Sequence, residues 1–393
     1  MSREELRKIG VEIEYPVVGK EGMAFPVSQI FPGLVEEGWQ PEFDDIYGEE
    51  IVAVSKEGRV ITVDAGEGIL EINEPPFDSL QKAGASLRRT LNFLAVRLEP
   101  FGAKILGYGA QPFENRNNWS HKGRYDFLRS IFSSDLGKIT RTAASQVHVD
   151  IKPEEIYRAI NVLNAASGVA IALCANSPIM HGDESEKLAK REMVWDSFAP
   201  LRSGVVPRWF RSNEDLFSFC GLLPLLITKI NGSYFAPGVP YSSYVKDLSE
   251  EEKGVHSFYH EGTLWFSARY RKKYGTVEFR PCCTQPHNEA MVVAAFALGL
   301  IESLEEAHNY FKRLYYNGPV SFSCLRKSAV WNGLDGIDPG VLRDTLFLVF
   351  QGLKKRKHGE EVFAEPLLER LRTAFIPAKR ATGSLSVVKE FAL

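Results

Sequence analysis

The sequence predicts an α+β fold, organised as one interleaved domain over residues 1–393. Three observations carry that prediction. Short segments with an apolar residue at every second position, the period of a half-buried strand, fill the first third and return in the third quarter. Stretches with helical spacing separate them and occupy the chain after residue 287. Two of the strands, Val11-Glu12-Ile13-Glu14-Tyr15 and Thr276-Val277-Glu278-Phe279-Arg280, put charge on one face, and those faces find partners only where distant strands share a sheet.

The strands begin at 9–18 and continue at 50–56, 59–64 and 68–74, where Pro75-Pro76 ends the run. A helix follows from Asp78 to Leu98, with Asp78 or Ser79 as its N-cap. A strand at 103–109 ends in Gly107 and Gly109, and a helix starts after Lys122-Gly123-Arg124-Tyr125. Segment 142–151 alternates cleanly, with Gln146, His148 and Asp150 on one side and Val147, Val149 and Ile151 on the other. Pro153 suits a first helical turn and opens an apolar helix to Cys174. Strands recur at 225–231, 261–268 and 274–281, and helices fill 287–393.

Lys and Arg total 47 against 50 Asp and Glu, a net charge of −3 that offers no electrostatic footprint for nucleic acid. Small-molecule partners are expected. No apolar run reaches the roughly 18 residues that span a bilayer. The polar start, Met1 to Lys8, lacks the apolar stretch of a secretory signal. Five cysteines at 174, 220, 282, 283 and 324, without CxxC spacing, point to a reduced, cytoplasmic setting. Cys282-Cys283 reads better as buried thiols than as a redox pair. Neither GxGxxG nor GxxxxGK[ST] occurs where a dinucleotide fold or a P-loop needs it.

Acid, His or Arg recurs at alternating strand positions in five segments: Glu12/Glu14, Asp64, Glu71, His148 and Glu278/Arg280. Taken singly, a strand Glu is a solvent-face residue and His148 a hydrogen-bonded histidine. Together they make one acid-rich sheet face, and carboxylates with a single imidazole suit Mg²⁺ or Mn²⁺ better than zinc. Several acids imply more than one ion, gathered around a nucleoside triphosphate.

The chain also carries Lys122-Gly123-Arg124-Tyr125-Asp126, Gln146-Val147-His148-Val149-Asp150, Ala175-Asn176-Ser177-Pro178, Trp195-Asp196 with Leu201-Arg202-Ser203-Gly204, and a strand from Tyr274 to Arg280. In these motifs and their order, from about residue 9 to 285, it resembles the glutamate–cysteine ligase family. The likeness is to the plant-like branch and to bacterial carboxylate–amine ligases of the glutamine-synthetase-like superfamily. Ser203 stands where the plant-like pattern has Thr, and no motif anchors the segment after about 290.

The resemblance implies a curved, mainly antiparallel sheet with helices on its outer side. It implies one catalytic domain, with motifs at 9–285 and a helical part at 287–393. The activity implied is that of an ATP-dependent carboxylate–amine ligase, a glutamate–cysteine ligase in the first instance. ATP phosphorylates the side-chain carboxylate of glutamate, and an amine then displaces phosphate. Mg²⁺ or Mn²⁺ would sit on Glu12, Glu14, Asp64, Glu71, His148 and Glu278, with ATP as co-substrate.

Arg280 and Glu278 are the catalytic candidates; Arg280 faces the transferring phosphoryl group or else pairs with Glu278. Arg202 is the candidate for gripping the glutamate α-carboxylate, against a plain surface-loop arginine. Lys122, Arg124, Trp195 and Tyr274 are further substrate-binding candidates, although core packing explains the two aromatics equally well. Arg269, Arg271, Lys272 and Lys273 form a basic run that meets ATP phosphates or is a solvated face. On this reading Glu278→Gln abolishes turnover and leaves the fold intact.

The alternatives are a ligase joining glutamate to a different amine, a guanidino kinase releasing no phosphate, and a non-catalytic ATP- and metal-binding regulator. The expected partners are ATP, glutamate, and cysteine or another amine. No nucleic acid or membrane is expected, and a homodimer is one assembly considered.

Overall fold

The computed structural model describes residues 6–44, 46–114, 119–132, 134–318 and 321–393; Met1 to Glu5 of the polar start lie outside these. Alternation builds the central sheet. Its strands are β1 (Ile9–Val18), β2 (Gln40–Phe43), β3 (Ile51–Lys56), β4 (Arg59–Val63), β5 (Ile69–Asn73), β6 (Lys104–Ile105), β7 (Ala144–Asp150), β8 (Ala268–Arg271) and β9 (Thr276–Cys283). They run in the order β8-β9-β7-β1-β5-β4-β3-β2, with β6 on the end of β1. Every one of these pairings is antiparallel. Strands from the first third therefore lie beside strands from the third quarter, as the charged faces required.

The apolar face of the sheet is the core. Val11, Ile13, Tyr15, Ile72, Val147, Val149, Val277 and Phe279 are all buried. They meet helices Leu80–Leu98, Ile156–Cys174 and Val292–Glu302, which pack on that side. Ser79 caps the first of these, its side chain accepting from the Lys82 N–H. Helix Ile156–Cys174 is apolar and buried on nearly every side. Two of its asparagines bond neighbouring backbone: Asn161 exchanges bonds of 2.8 and 3.0 Å with Phe210, and Asn164 donates to the Ala268 carbonyl at 3.2 Å. The expectation that no apolar run reaches bilayer length is corrected here. Pro153–Cys174 is long and apolar enough, and 89% of its apolar window is buried inside the fold, as a core helix should be.

Other departures have local causes. The strand expected at 261–268 is displaced by helix Glu250–Gly262, which starts at a reciprocal cap between Ser249 and Glu252; only Trp265–Phe266 and β8 are extended. The strand expected at 103–109 shortens to β6, because Gly107 and Gly109 press against Gln285, Pro286 and Cys283. Strand β2 and helices Lys190–Phe198 and Asn213–Leu222 have no counterpart in the sequence reading.

Candidate active site

Register alone sets the polar face. Glu14 stands opposite Glu71, which stands opposite Thr62. One row along, Glu12 lies between Gln146 and Asn73. In the third row Glu278 lies between Arg269 and His148. Directly opposed residues of antiparallel strands share a face, so all these side chains point to the side away from the core.

The acids form two unlike groups. Glu14 accepts from the Ala144 N–H at 2.8 Å and the Gln146 amide at 2.5 Å, Glu71 accepts from Asn73 at 2.7 Å, and Asp64 accepts from the Tyr125 hydroxyl at 2.6 Å. Burial, with Glu278 close by, raises the Glu12 carboxyl. Burial and the charges of Asp64 and Glu71 raise Glu14 well above the ordinary range. Burial, then Glu12 and Asp64, push Glu71 up to about 8. These carboxyls crowd one another without enough cation among them.

Glu278 is the opposite case. Burial alone would raise its carboxyl, but Arg269, Arg280, His148 and Arg271 together hold it well below the usual range. Arg269 grips it with two bonds of 2.8 and 2.9 Å, Arg271 reaches it at 3.2 Å, and Arg280 also donates to it. Arg280 spans from Glu278 to the Gln146 amide oxygen, and Gln146 in turn holds Glu14. His148 stands 3.8 Å from Glu278 and bonds Thr276 through Nδ1 at 2.9 Å. Burial, helped by the nearby arginines, brings it down to about 4, so the ring is neutral at pH 7.

Glu12, Glu14, Asp64 and Glu71 line one cavity of about 260 Å³. Lys122, Arg124, Trp195, Arg269, Arg271 and Arg280 complete much of its wall. A larger, mainly apolar cavity of about 420 Å³ lies beyond Arg269, but the acid face does not open into it. Ten of the sequence-selected residues therefore meet in one place. Glu278 and His148 sit under the arginines rather than in the lining.

Three selected residues lie elsewhere. Arg202, 5% exposed, donates to Thr263 and to the Pro224 carbonyl, so it is neither at the cavity nor a surface arginine. Tyr274 is half exposed, and the Lys273 ammonium sits over the Phe258 and Tyr274 rings at 5.2 and 5.5 Å, outside the lining. Arg269 is committed: beyond Glu278 it bonds the carbonyls of Glu261, Gly262 and Leu264. Lys122 is engaged by Thr62 and the Val63 carbonyl. Arg124 is freer: among the described residues its single hydrogen bond is one of 3.4 Å to the Gly262 carbonyl.

Sequence reasoning passed over Gln146, Tyr125 and Arg191 as site residues. The first two lay within quoted motifs. Arg191, on helix Lys190–Phe198, is 3% exposed and its charge opposes the rise at Glu14; nothing in its sequence neighbourhood marks it.

The cavity suits hard cations by its donors: carboxylate oxygens, those of Glu12, Glu14 and Glu71 raised in proton affinity, with no thiol among the lining residues. Among the described residues no three His, Cys, Asp or Glu stand in a ready metal-holding group. Mg²⁺ takes one or two protein carboxylates and fills its shell with water and phosphate.

Comparison with known proteins identifies the family. A relative from Brassica juncea, a chloroplastic glutamate–cysteine ligase, is 25% identical over 84% of this chain and 68% of its own length. The Arabidopsis thaliana enzyme is 24% identical over 90% of this chain and 71% of its own. A solved glutamate–cysteine ligase from Francisella tularensis, in complex with AMP, shares the fold with a TM-score of 0.51 at 13% identity, covering 98% of this chain and 88% of that one. The model of glutamate–cysteine ligase family 2 matches residues 8–310. The chain belongs to that family, and it is an ATP-dependent carbon–nitrogen ligase.

Proposed function

We propose that this ligase couples the side-chain carboxylate of glutamate to an amine, cysteine in the first instance, through γ-glutamyl phosphate. A carboxylate oxygen of glutamate takes the γ-phosphoryl group of ATP as the bond to ADP breaks. The amine nitrogen then attacks the acyl carbon, the carbon–oxygen bond to phosphate breaks, and the nitrogen releases its proton. The observation that carries this reading is the convergence of Glu12, Glu14 and Glu71, all raised in proton affinity, with Arg280 on one cavity.

Glu12, Glu14, Asp64 and Glu71 are the residues that would hold Mg²⁺ or Mn²⁺, which neutralise the triphosphate when bound. Arg280 points its guanidinium at the phosphoryl group in flight, where a planar fork stabilises growing charge. Glu278 acts on Arg280, Arg269 and Arg271 by fixing them, a positioning role in place of a metal ligand. Arg124 replaces Arg202 as the grip for the glutamate α-carboxylate. The neutral His148 ring orients that cluster, and Tyr274 and Lys273 have no assigned part.

Trp195, Trp265 and Phe258 also line the cavity. They favour, as a second reading, an amine bulkier and less polar than cysteine. The five free thiols suit a reducing, cytoplasmic setting. The test is phosphate release from ATP with glutamate and Mg²⁺, scanned over cysteine, other amino acids and simple amines. Release that needs both glutamate and an amine supports the reading. ATP consumption that needs no glutamate contradicts it.

A further inference from the structure

The helices beyond residue 310 lie outside the segment that the family model matches. One of them, Phe322–Asn332, sends Arg326 back toward the active site. Arg326 is 3% exposed. Its Nη2 donates to Glu192 Oε2 and to Asp196 Oδ1, each at 2.7 Å, and its Nε donates to Asp196 at 3.1 Å. Both acids belong to helix Lys190–Phe198, the helix that carries Trp195 into the cavity wall.

A second line leads from the same guanidinium to Arg280. Gly204 packs against this ion triad so closely that a Cβ there would lie 3.1 Å from Asp196 Oδ1 and 3.3 Å from Arg326 Nε. Its carbonyl accepts from the Ser267 N–H at 2.7 Å, and the Ser267 carbonyl accepts from the Arg280 N–H at 2.9 Å. Arg326, Arg280, Trp195 and Trp265 also line one chamber of about 10 Å³, room for about a single water.

We infer that Arg326 is a positioning residue for ligation: it sets the backbone of Arg280 and the Trp195/Trp265 wall without touching substrate. The inference rests on the ligase reading above. A guanidinium is needed because Nη2 bonds both carboxylates while Nε adds a second bond to Asp196, and a single ammonium nitrogen on a flexible stem cannot fill both positions. Loss of that fork lets helix Lys190–Phe198 and the Gly204–Ser267–Arg280 ladder shift. Displacements of about 1 Å cost on the order of 100-fold in rate.

The experiment compares wild type with Arg326→Lys and Arg326→Ala in glutamate- and amine-dependent phosphate release. The expected result is a fall in kcat of about 10- to 100-fold with the KM for ATP within about twofold. Added guanidinium should restore part of the rate to Arg326→Ala. Should that variant fail to fold, Asp196→Asn, at the more exposed end of the triad, carries the same kcat-against-KM comparison. A folded Arg326→Lys with wild-type kcat overturns the inference. So does a rate loss that only tracks the fraction of folded protein by circular dichroism. Absence of turnover in wild type would instead sink the ligase reading.

Discussion

Glu278 shows how a single buried carboxylate can organise a site without being its reagent. It has no exposure and balances Arg269, Arg271 and Arg280. Removing one member of a buried ion cluster leaves charge uncompensated, at a cost of about 3–5 kcal/mol. Glu278→Gln should therefore lose stability as well as turnover, which replaces the expectation that its fold stays intact. Chemical denaturation checks this; a variant as stable as wild type would return Glu278 to the list of metal ligands. Arg280→Lys keeps the charge but loses the fork, and kcat should fall about 10²- to 10³-fold with little change in stability. A wild-type rate would leave Arg280 as an ion pair alone. At this scale the sequence was readable where period two governs: Glu12, Glu14 and Glu71 fall on one face because strands alternate. It was not readable at Arg202, where burial and the carbonyls that bind it depend on Thr263 and Pro224, far along the chain.

Elements matter because the acids sit on different strands and only register brings them level. The β4–β5 connection places Asp64 and Glu71 on the cavity through a turn that includes Gly66. A Cβ at Gly66 would lie 2.1 Å from the Thr140 carbonyl oxygen, which is backbone and cannot step aside. Gly66→Ala should cost about 3 kcal/mol or more and displace both acids. Thermal unfolding and the rate should fall together; an unaltered melting temperature would mean that the turn has slack. The break between the expected strands at 59–64 and 68–74 made this turn legible. Helix Glu250–Gly262 was missed although Ser249 and Glu252 carry a capping-box pattern, because the apolar run after it reads as a strand. Helix Lys190–Phe198 gave no such signal: Arg326, which binds its Glu192 and Asp196, stands 134 and 130 residues further along the chain.

The whole molecule holds its acids at an energetic cost that a cation bound among them would remove. Glu71 is pushed up from 4.5 to about 8, so the folded form binds its proton more tightly than the unfolded chain. The stabilisation from that proton is complete below about 4.5 and is lost as pH rises through about 8. Without divalent cations, this site should make the protein less stable across that window. Mg²⁺ in place of the proton reverses the trend, so its gain in melting temperature should be larger at about pH 8 than at about pH 5. Equal gains at both pH values would place the cation elsewhere. The C-terminal half of this picture was hidden from sequence reading, since its buried arginines show their use only in space. Arg326 holds helix Lys190–Phe198, Arg356 binds Glu302 and Glu360, and Arg370 bonds the Leu173 carbonyl and Gln285.

The proposed ligation requires an acyl phosphate formed above the acidic face. Glutamate labelled with ¹⁸O in its side-chain carboxylate, incubated with ATP, Mg²⁺ and the accepting amine, tests it directly. Mass spectrometry of the released phosphate should find one labelled oxygen from glutamate in each molecule. Phosphate free of label, formed at the full rate of amide production, would contradict transfer through γ-glutamyl phosphate.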